Sequence, residues 1–539
     1  MTRTAQFRAL LVAATALAPV VAHAQNRVTM APYIEVGQVL DADLKNDDTL
    51  TYTSVAAGVD LAASGPRAEA QLSYRYERRF SWDDDIGDDD VHSGVARAAV
   101  RLAPGLSVEA GALATRTRSD IRGAAPGLLT GDESNISQLY SIYAGPSLVR
   151  QAGPVTVAAD YRIGYTKVET PNGGTVAPGT PRLDYYDDSL SHLATARASI
   201  SPHRGLPFGV TASGAWERED AGQLDQRYTG WYGRGDVLFP VSPNVALTGG
   251  LGYERITTSQ RDPLLTAAGV PVTDGNGRFV TAPGSPRRIA DRTDGVYYDA
   301  GVVWRPNRRT SVEARAGKRY GTESYTGAIS YQASKSVGLQ VQVYDAVQTF
   351  GRQLRQGIAS LPTGFVNARD AYSQQFNGCV FGTTGSAPGG CLNSTLQSIS
   401  TASYRSRGVD GVLSAQRGRN TFGVGGGYAN RKLHAPGNGS GIVTYGLDDQ
   451  SAYGQAFYAR QLSEDSGLNL NAFVDWYKSD FATDDIWSEG AVASYYHNFG
   501  RLQTTVTGGI YHYDTGGSLG KALSVQALIS ARYTFGGGR

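Results

Sequence analysis

The chain has 539 residues and a formal net charge of +1, with 67 glycines and 31 tyrosines against only two cysteines and two methionines. Near-neutrality without any long Lys/Arg run excludes a nucleic-acid partner, which would need a basic face to neutralise phosphates. Beyond residue 24 no apolar run approaches the roughly 20 residues that a membrane helix needs, and the mean hydropathy is −0.29, so any membrane crossing has to be made by strands.

The chain opens with Arg3 and Arg8, an apolar stretch over 9–21 and Ala22-His23-Ala24 before Gln25. These are the three parts of a secretory signal. Residues 1–24 are therefore expected to be a cleaved signal peptide, and 25–539 a single transmembrane β-barrel domain exported through the general secretory route. Loss of the two arginines leaves the remainder close to neutral.

From there the polarity alternates with period 2. Over 67–80, Ala68, Ala70, Leu72, Tyr74, Tyr76 and Phe80 oppose Arg67, Glu69, Gln71, Ser73, Arg75, Glu77 and Arg79. Val155, Val157, Ala159, Tyr161, Ile163 and Tyr165 oppose Thr156, Asp160, Arg162 and Thr166, and further copies lie over 296–304, 312–319 and 468–476. The clearest copy is the last, where Leu523, Val525, Ala527, Ile529, Ala531, Tyr533 and Phe535 alternate with residues that suit water, Leu528 excepted. Such strands have one face for hydrocarbon and one for a polar lumen.

Candidate strands begin near 28, 51, 67, 91, 105, 136, 153, 188, 206, 225, 243, 294, 308, 322, 335, 400, 418, 449, 466, 484, 500 and 518. Short links at 64–66, 104–105, 152–153, 202–207, 240–244, 306–307, 334–335, 418–419, 464–465 and 500–501 alternate with longer polar segments at 83–90, 119–135, 169–187, 258–293, 351–399 and 432–448. That is the periplasmic-turn, external-loop rhythm of outer-membrane barrels. It holds only if 320–323 is a tight external turn. The fold predicted is all-β, an integral outer-membrane antiparallel β-barrel of about 22 strands, in a range from about 18 to 22. At roughly 23 residues per strand and connection no length remains for a plug domain. A barrel of that size encloses a wide channel unless loops fold inward, and the long external loop near 351–399 is the best candidate constriction; the other long one is near 258–293.

The acidic run 83–90 offers Asp83, Asp85, Asp88 and Asp90 as weak calcium ligands, with a solvated acidic loop as the default reading. Cys379 and Cys391 lie close together in an exported chain and predict an intraloop disulfide. The expected lumen carries Glu69, Arg75, Glu77, Arg79, Asp160, Arg162, Asp299, Glu313, Arg315 and Arg532. These are either charges that set selectivity along a permeation path or mutually neutralising wall pairs. Tyr185, Tyr186, Tyr297, Phe473 and Tyr477 could stack on sugars, though rim aromatics are commoner. The histidines are scattered and no nucleophile signature occurs, so no enzyme and no cofactor beyond calcium at external loops is expected.

Several segments carry a family likeness: RTSVEARAGKRYG at 309–321, YTGAISY at 325–331, APYIEV at 31–36, LSYRYERR at 72–79 and ARYTF at 531–535. Together they resemble the PEP-CTERM-system-associated outer-membrane barrel family and its sphingomonad-type members. The family ends on its terminal aromatic, whereas here residues 536–539 follow Phe535. The resemblance implies a channel or scaffold associated with exopolysaccharide secretion across the outer membrane. Its expected partners are outer-membrane lipid, lipopolysaccharide or glycolipid, the barrel-assembly machinery, polysaccharide and periplasmic export components. A general or nutrient-uptake porin and a closed-lumen surface-binding or assembly protein are the alternatives.

Overall fold

The computed structural model describes residues 27–45, 48–82, 88–119, 135–170, 184–366, 369–376, 378–396, 399–436, 447–480, 484–514 and 521–536. The expected signal peptide lies outside them.

The chain runs through β1 (Arg27–Asp43), β2 (Asp48–Ser64), β3 (Ala68–Ser81), β4 (Asp89–Ala103), β5 (Leu106–Arg118), β6 (Ile136–Ala152), β7 (Val155–Glu169), β8 (Asp188–Ile200), β9 (Gly209–Ala221), β10 (Arg227–Ser242), β11 (Val245–Gln260) and β12 (Arg288–Asn307). It continues with β13 (Thr310–Arg319), β14 (Thr322–Ser334), β15 (Val337–Gln348), helix α1 (Phe350–Ser360), the small hairpin β16 (Cys379–Thr384) and β17 (Ala387–Cys391), helix α2 (Asn393–Leu396) and β18 (Ser403–Arg417). It ends with β19 (Asn420–His434), β20 (Asp448–Gln461), β21 (Ser466–Ser479), β22 (Ile486–Phe499), β23 (Leu502–Asp514) and β24 (Lys521–Thr534).

Twenty-two of these strands form one antiparallel sheet, each paired with its neighbours in the chain. The sheet closes on itself because β1 also pairs with β24, from Tyr33↔Thr534 to Asp43↔Ser524. Closure leaves no edge, so the backbone donors and acceptors of the wall are satisfied within it. The expected strand starts fall close to the observed ones; the largest miss is β12, which begins at Arg288 and shortens the preceding loop to 261–287. The tight turn required at 320–323 is present. Arg319 pairs with Thr322, and Tyr320 and Gly321 sit at φ 55° and 74°, the two positive φ values of a type I′ hairpin turn.

The period-2 pattern sets the two faces of the ring. On β24 Val525 and Ile529 are exposed outward while Ser524, Gln526 and Ser530 are buried inward. Outside, Tyr161, His192, Trp216 and Trp231 run ring to ring across β7–β10 at centroid distances of 6.0 to 6.3 Å. Along β10 the exposed Trp231 and Phe239 bracket an apolar stretch containing Val237, about 20 Å tall for a strand tilted roughly 40°. Hydrocarbon is the solvent such a belt fits.

The segment between β15 and β18, the long connection expected as the best candidate constriction, folds into the ring. Its α1 packs on β5–β8, its hairpin on β15, β18 and β19, and its α2 on β19 and β20. The hairpin tip reaches the opposite end, where Gly385 N–H donates to Lys335 C=O at 2.8 Å in the β14–β15 turn. No separate plug domain occurs among the described residues, and the 351–399 connection, expected as the best candidate constriction, is itself the plug. Length arithmetic left open whether this segment turns inward, because the plug is drawn from a connection the ring already needed. Its apolar core joins Phe350, Leu354, Ile358, Phe365, Phe376, Val380 and Leu392 to wall residues Val95, Leu113, Leu139 and Tyr143.

Candidate functional site: the plugged lumen

At the ring closure, charges alternate in a buried chain. Arg532 Nε donates to Glu35 Oε2 at 2.7 Å, Arg75 pairs with Glu35 at 3.1 Å and with Glu77 at 2.7 Å, and Arg79 pairs with Glu77 at 2.7 Å. Arg75 reaches from β3 to β1 because the strand between them presents only Ala56 and Gly58 at that level. Arg75, Glu77 and Arg79 are each 2% exposed, so their mutual pairing and hydrogen bonds have to offset desolvation.

The plug docks on this wall through side chains the wall was shaped to receive. Arg97 donates to Leu361 and Ala359 carbonyls, both at 3.0 Å; Gln71 exchanges bonds with Phe365 at 2.7 Å; Glu69 accepts from Thr363 at 2.9 Å. Arg352 and Arg355 of α1 pair with Glu217 and Ser191. Along β19 the wall is cut back to glycine: a β-carbon at Gly425 would overlap Cys379 Sγ and sit 2.7 Å from Cys391 Sγ, and one at Gly423 would overlap the Phe381 ring. The expected disulfide Cys379–Cys391 is formed, with an S–S distance of 2.05 Å, across a directly paired position of the hairpin.

Helix α1 has two faces. Phe350, Leu354 and Ile358, at i, i+4 and i+8, are fully buried toward β5–β8. Gln353, Gln356 and Ser360 turn instead to a cavity of ≈ 600 Å³ between the plug and the wall, which also presents Gln340 and Gln342 of β15. A second cavity of ≈ 290 Å³ is bordered by β10 and β12–β14, and Arg319 lines both. The second one holds a charge cluster. Arg234 meets Asp299 at 2.6 Å and Asp236 at 2.7 Å; Arg315 meets Asp236 at 2.8 Å, Asp299 at 3.1 Å and Glu313 at 2.6 Å. Arg319 above it grips Glu254 at 2.7 Å. The plug thus seals one side of the lumen and leaves voids along the other.

All ten expected lumenal charges lie on the inward face, and each is engaged. Besides those above, Arg162 meets Glu109 at 3.5 Å and Asp160 accepts from Thr195 at 3.2 Å. None of the ten stands as an isolated charge in a ring. Of the aromatics, Tyr185, Tyr186 and Tyr477 are 1–2% exposed and present no face to a sugar; Tyr186 packs on Phe350 of the plug at 5.1 Å. Tyr297 lies under the Arg234 and Arg319 guanidiniums, and Phe473 packs against Tyr511. Asp88 and Asp90 hold Arg78 at 3.1 and 2.7 Å, while Asp83 and Asp85 lie outside the described residues. No cluster of three or more His, Cys, Asp or Glu occurs among the described residues.

Sequence reasoning missed the glutamines that line the larger cavity and the plug side chains Arg352, Arg355 and Tyr372. A signal was available for the helix: the 3.6-period spacing of Phe350, Leu354 and Ile358 behind Thr349, whose hydroxyl caps the Arg352 amide.

No known family's sequence pattern matches the chain, and no curated protein matches it. Among solved structures, the chain is similar to the ferric-catecholate import receptor Fiu of E. coli K12, at 12% identity over 93% of this chain and 81% of that one, with a TM-score of 0.42. The FrpB iron transporter of Neisseria meningitidis matches at 8% identity, 94% and 82% coverage and a TM-score of 0.43. The siderophore receptor PirA of Acinetobacter baumannii matches at 11% identity, 94% and 81% coverage and 0.40. At such values neither fold nor cargo is taken from them.

Proposed function

We propose that this chain is an outer-membrane channel held shut by its own inward-folded loop, with permeation routed between the polar face of α1 and the wall formed by β9–β15. The observation that carries the reading is the two-faced plug helix, apolar where it seals the wall and amide-bearing where it borders the voids. The apolar outer belt supports a membrane setting. The likeness of segments 309–321, 325–331 and 72–79 to exopolysaccharide-associated barrels supports a place in polysaccharide secretion, with outer-membrane lipid, lipopolysaccharide, the assembly machinery and periplasmic export components as partners. No catalytic role and no bound cofactor are part of this reading. A closed-lumen scaffold is the second reading, favoured by the engagement of every lumenal charge considered above and by a plug that reaches the far turn.

Planar-bilayer recording separates the two. The intact protein is expected to give small or rare current steps, and a variant with 351–399 replaced by a short Gly/Ser linker large and steady ones. If the shortened variant folds as a barrel and still passes no current, the channel reading fails and the scaffold stands.

A further inference from the structure

The ≈ 600 Å³ cavity lies within the size range of small-molecule sites but differs from most in its many uncharged polar side chains, which stand among apolar ones such as Leu193, Val347 and Val412. Gln340 and Gln342 are exposed to it although they lie inside the ring. Across the void stand Gln353, Gln356 and Ser360 on the polar face of α1. The ionic groups at its border are already engaged: Arg319 with Glu254 and Arg352 with Glu217 as ion pairs, and Asp410 by a hydrogen bond from the neutral Tyr453 hydroxyl at 2.7 Å. Two polar atoms of lining residues, Gln348 Oε1 and Arg352 Nε, are buried without a hydrogen-bond partner among the described residues. One is an acceptor and the other a donor.

A small anion finds no unpaired cation here, and a small cation only the one carboxyl of Asp410. An apolar ligand would strand amides and hydroxyls away from water, which costs free energy for each one left unpaired. A polyol fits, because each of its hydroxyls both donates and accepts, as each carboxamide does through its two ends. We infer that this cavity is a binding site for an uncharged saccharide segment, clamped between the β15 glutamines of the wall and the α1 glutamines of the plug. The inference deepens the channel reading and rests on it for the ligand's access.

The site also couples occupancy to the plug, since α1 supplies Gln353, Gln356 and Ser360 to its lining. A saccharide bound to both walls holds the plug in place.

The test is calorimetric titration of the purified full-length protein in detergent with neutral gluco-, manno- and galacto-hexaoses, and with a hexa-uronate of equal length. At least one neutral hexaose is expected to bind, with the hexa-uronate weaker. The Gln340→Leu/Gln342→Leu variant should lose affinity roughly tenfold or more, as two hydrogen-bonding amides are removed. These residues face open space, so the variant is expected to fold; Gln342→Ala, with a smaller loss, guards against a folding defect. The inference is overturned if no neutral hexaose binds, if the double variant binds as well as the parent, or if the uronate binds more tightly. Bilayer currents from the same preparations keep the two claims apart. A protein that conducts without binding any neutral hexaose removes the site and keeps the channel, whereas one that binds but stays silent after loop replacement keeps the site and removes the channel.

Discussion

Glu77 shows what a single lumenal residue does here. It sits between Arg75 and Arg79, both fully buried, and accepts from each at 2.7 to 2.8 Å. Glu77→Gln keeps the shape and removes the charge, leaving two desolvated guanidiniums facing each other. The expected cost is about 3 kcal/mol, read as a lower temperature for loss of the heat-resistant folded form in gel-shift melting; an unchanged midpoint would contradict the pairing. Asp184 is a different case, outside the wall. Its carboxylate accepts from Gln223 at 2.6 Å and from the Phe279 amide at 3.0 Å, while its carbonyl accepts from the Thr401 amide at 3.0 Å. One residue therefore ties the loops before β8, after β9 and after β11 to the stem of the plug. Burial pushes its carboxyl up to about 7. Because the docked state raises this pKa above the ordinary carboxylate value of about 4, docking is favoured in the protonated form. That advantage is complete below pH ~4, declines as pH rises toward ~7, and is gone above it, at about 1.4 kcal/mol per pK unit. Amide exchange at 221–226 and 399–401, corrected for intrinsic rates, should quicken between pH 5.5 and 8.5, and Asp184→Asn should flatten that dependence.

At the scale of elements, the plug and β19 are complementary surfaces. The stretch 420–434 looks weak as a strand because of its glycines, yet Gly423 and Gly425 are where Phe381 and the disulfide sulfurs rest. Gly425→Val should lever the hairpin off the wall without opening the ring, since the clash is with the plug. Its expected signature is larger single-channel current with an unaltered gel shift. Gly411→Ala, whose β-carbon would meet only an ordinary contact at 3.4 Å, is the neutral control. Equal currents from all three proteins would mean that the hairpin does not limit passage. The same complementarity explains Leu528, the one large apolar residue on the water face of β24. It is 7% exposed, packed with Val39, Tyr52 and Tyr372 of the plug. An irregularity in the alternation was thus a docking point. It could not be recognised as one without knowing that Tyr372, more than 150 residues earlier, comes to meet it.

For the whole molecule, the ring and its filling were legible to different degrees. Period-2 polarity and the rhythm of short and long links gave the antiparallel class, the strand number and even the two-residue turn at Tyr320-Gly321, because each depends on residues adjacent in sequence. The inward placement of Glu69, Arg75, Asp160, Asp299, Glu313 and Arg532 followed from the same alternation, since the face of a side chain on a strand is fixed by parity. Which charge would neutralise which was not legible: Glu35 and Arg532 meet only because the ring closes. Nor was the cavity, whose walls come from β15 and from a helix that turns back against it. The sequence by itself determined what is local and periodic, namely the strands, their two faces and the cysteine pair. Only the tertiary structure decided whether the lumen is open, because a polar, glycine-rich connection of that length satisfies its backbone equally in water outside or against polar walls inside, and the choice rests on contacts between segments hundreds of residues apart.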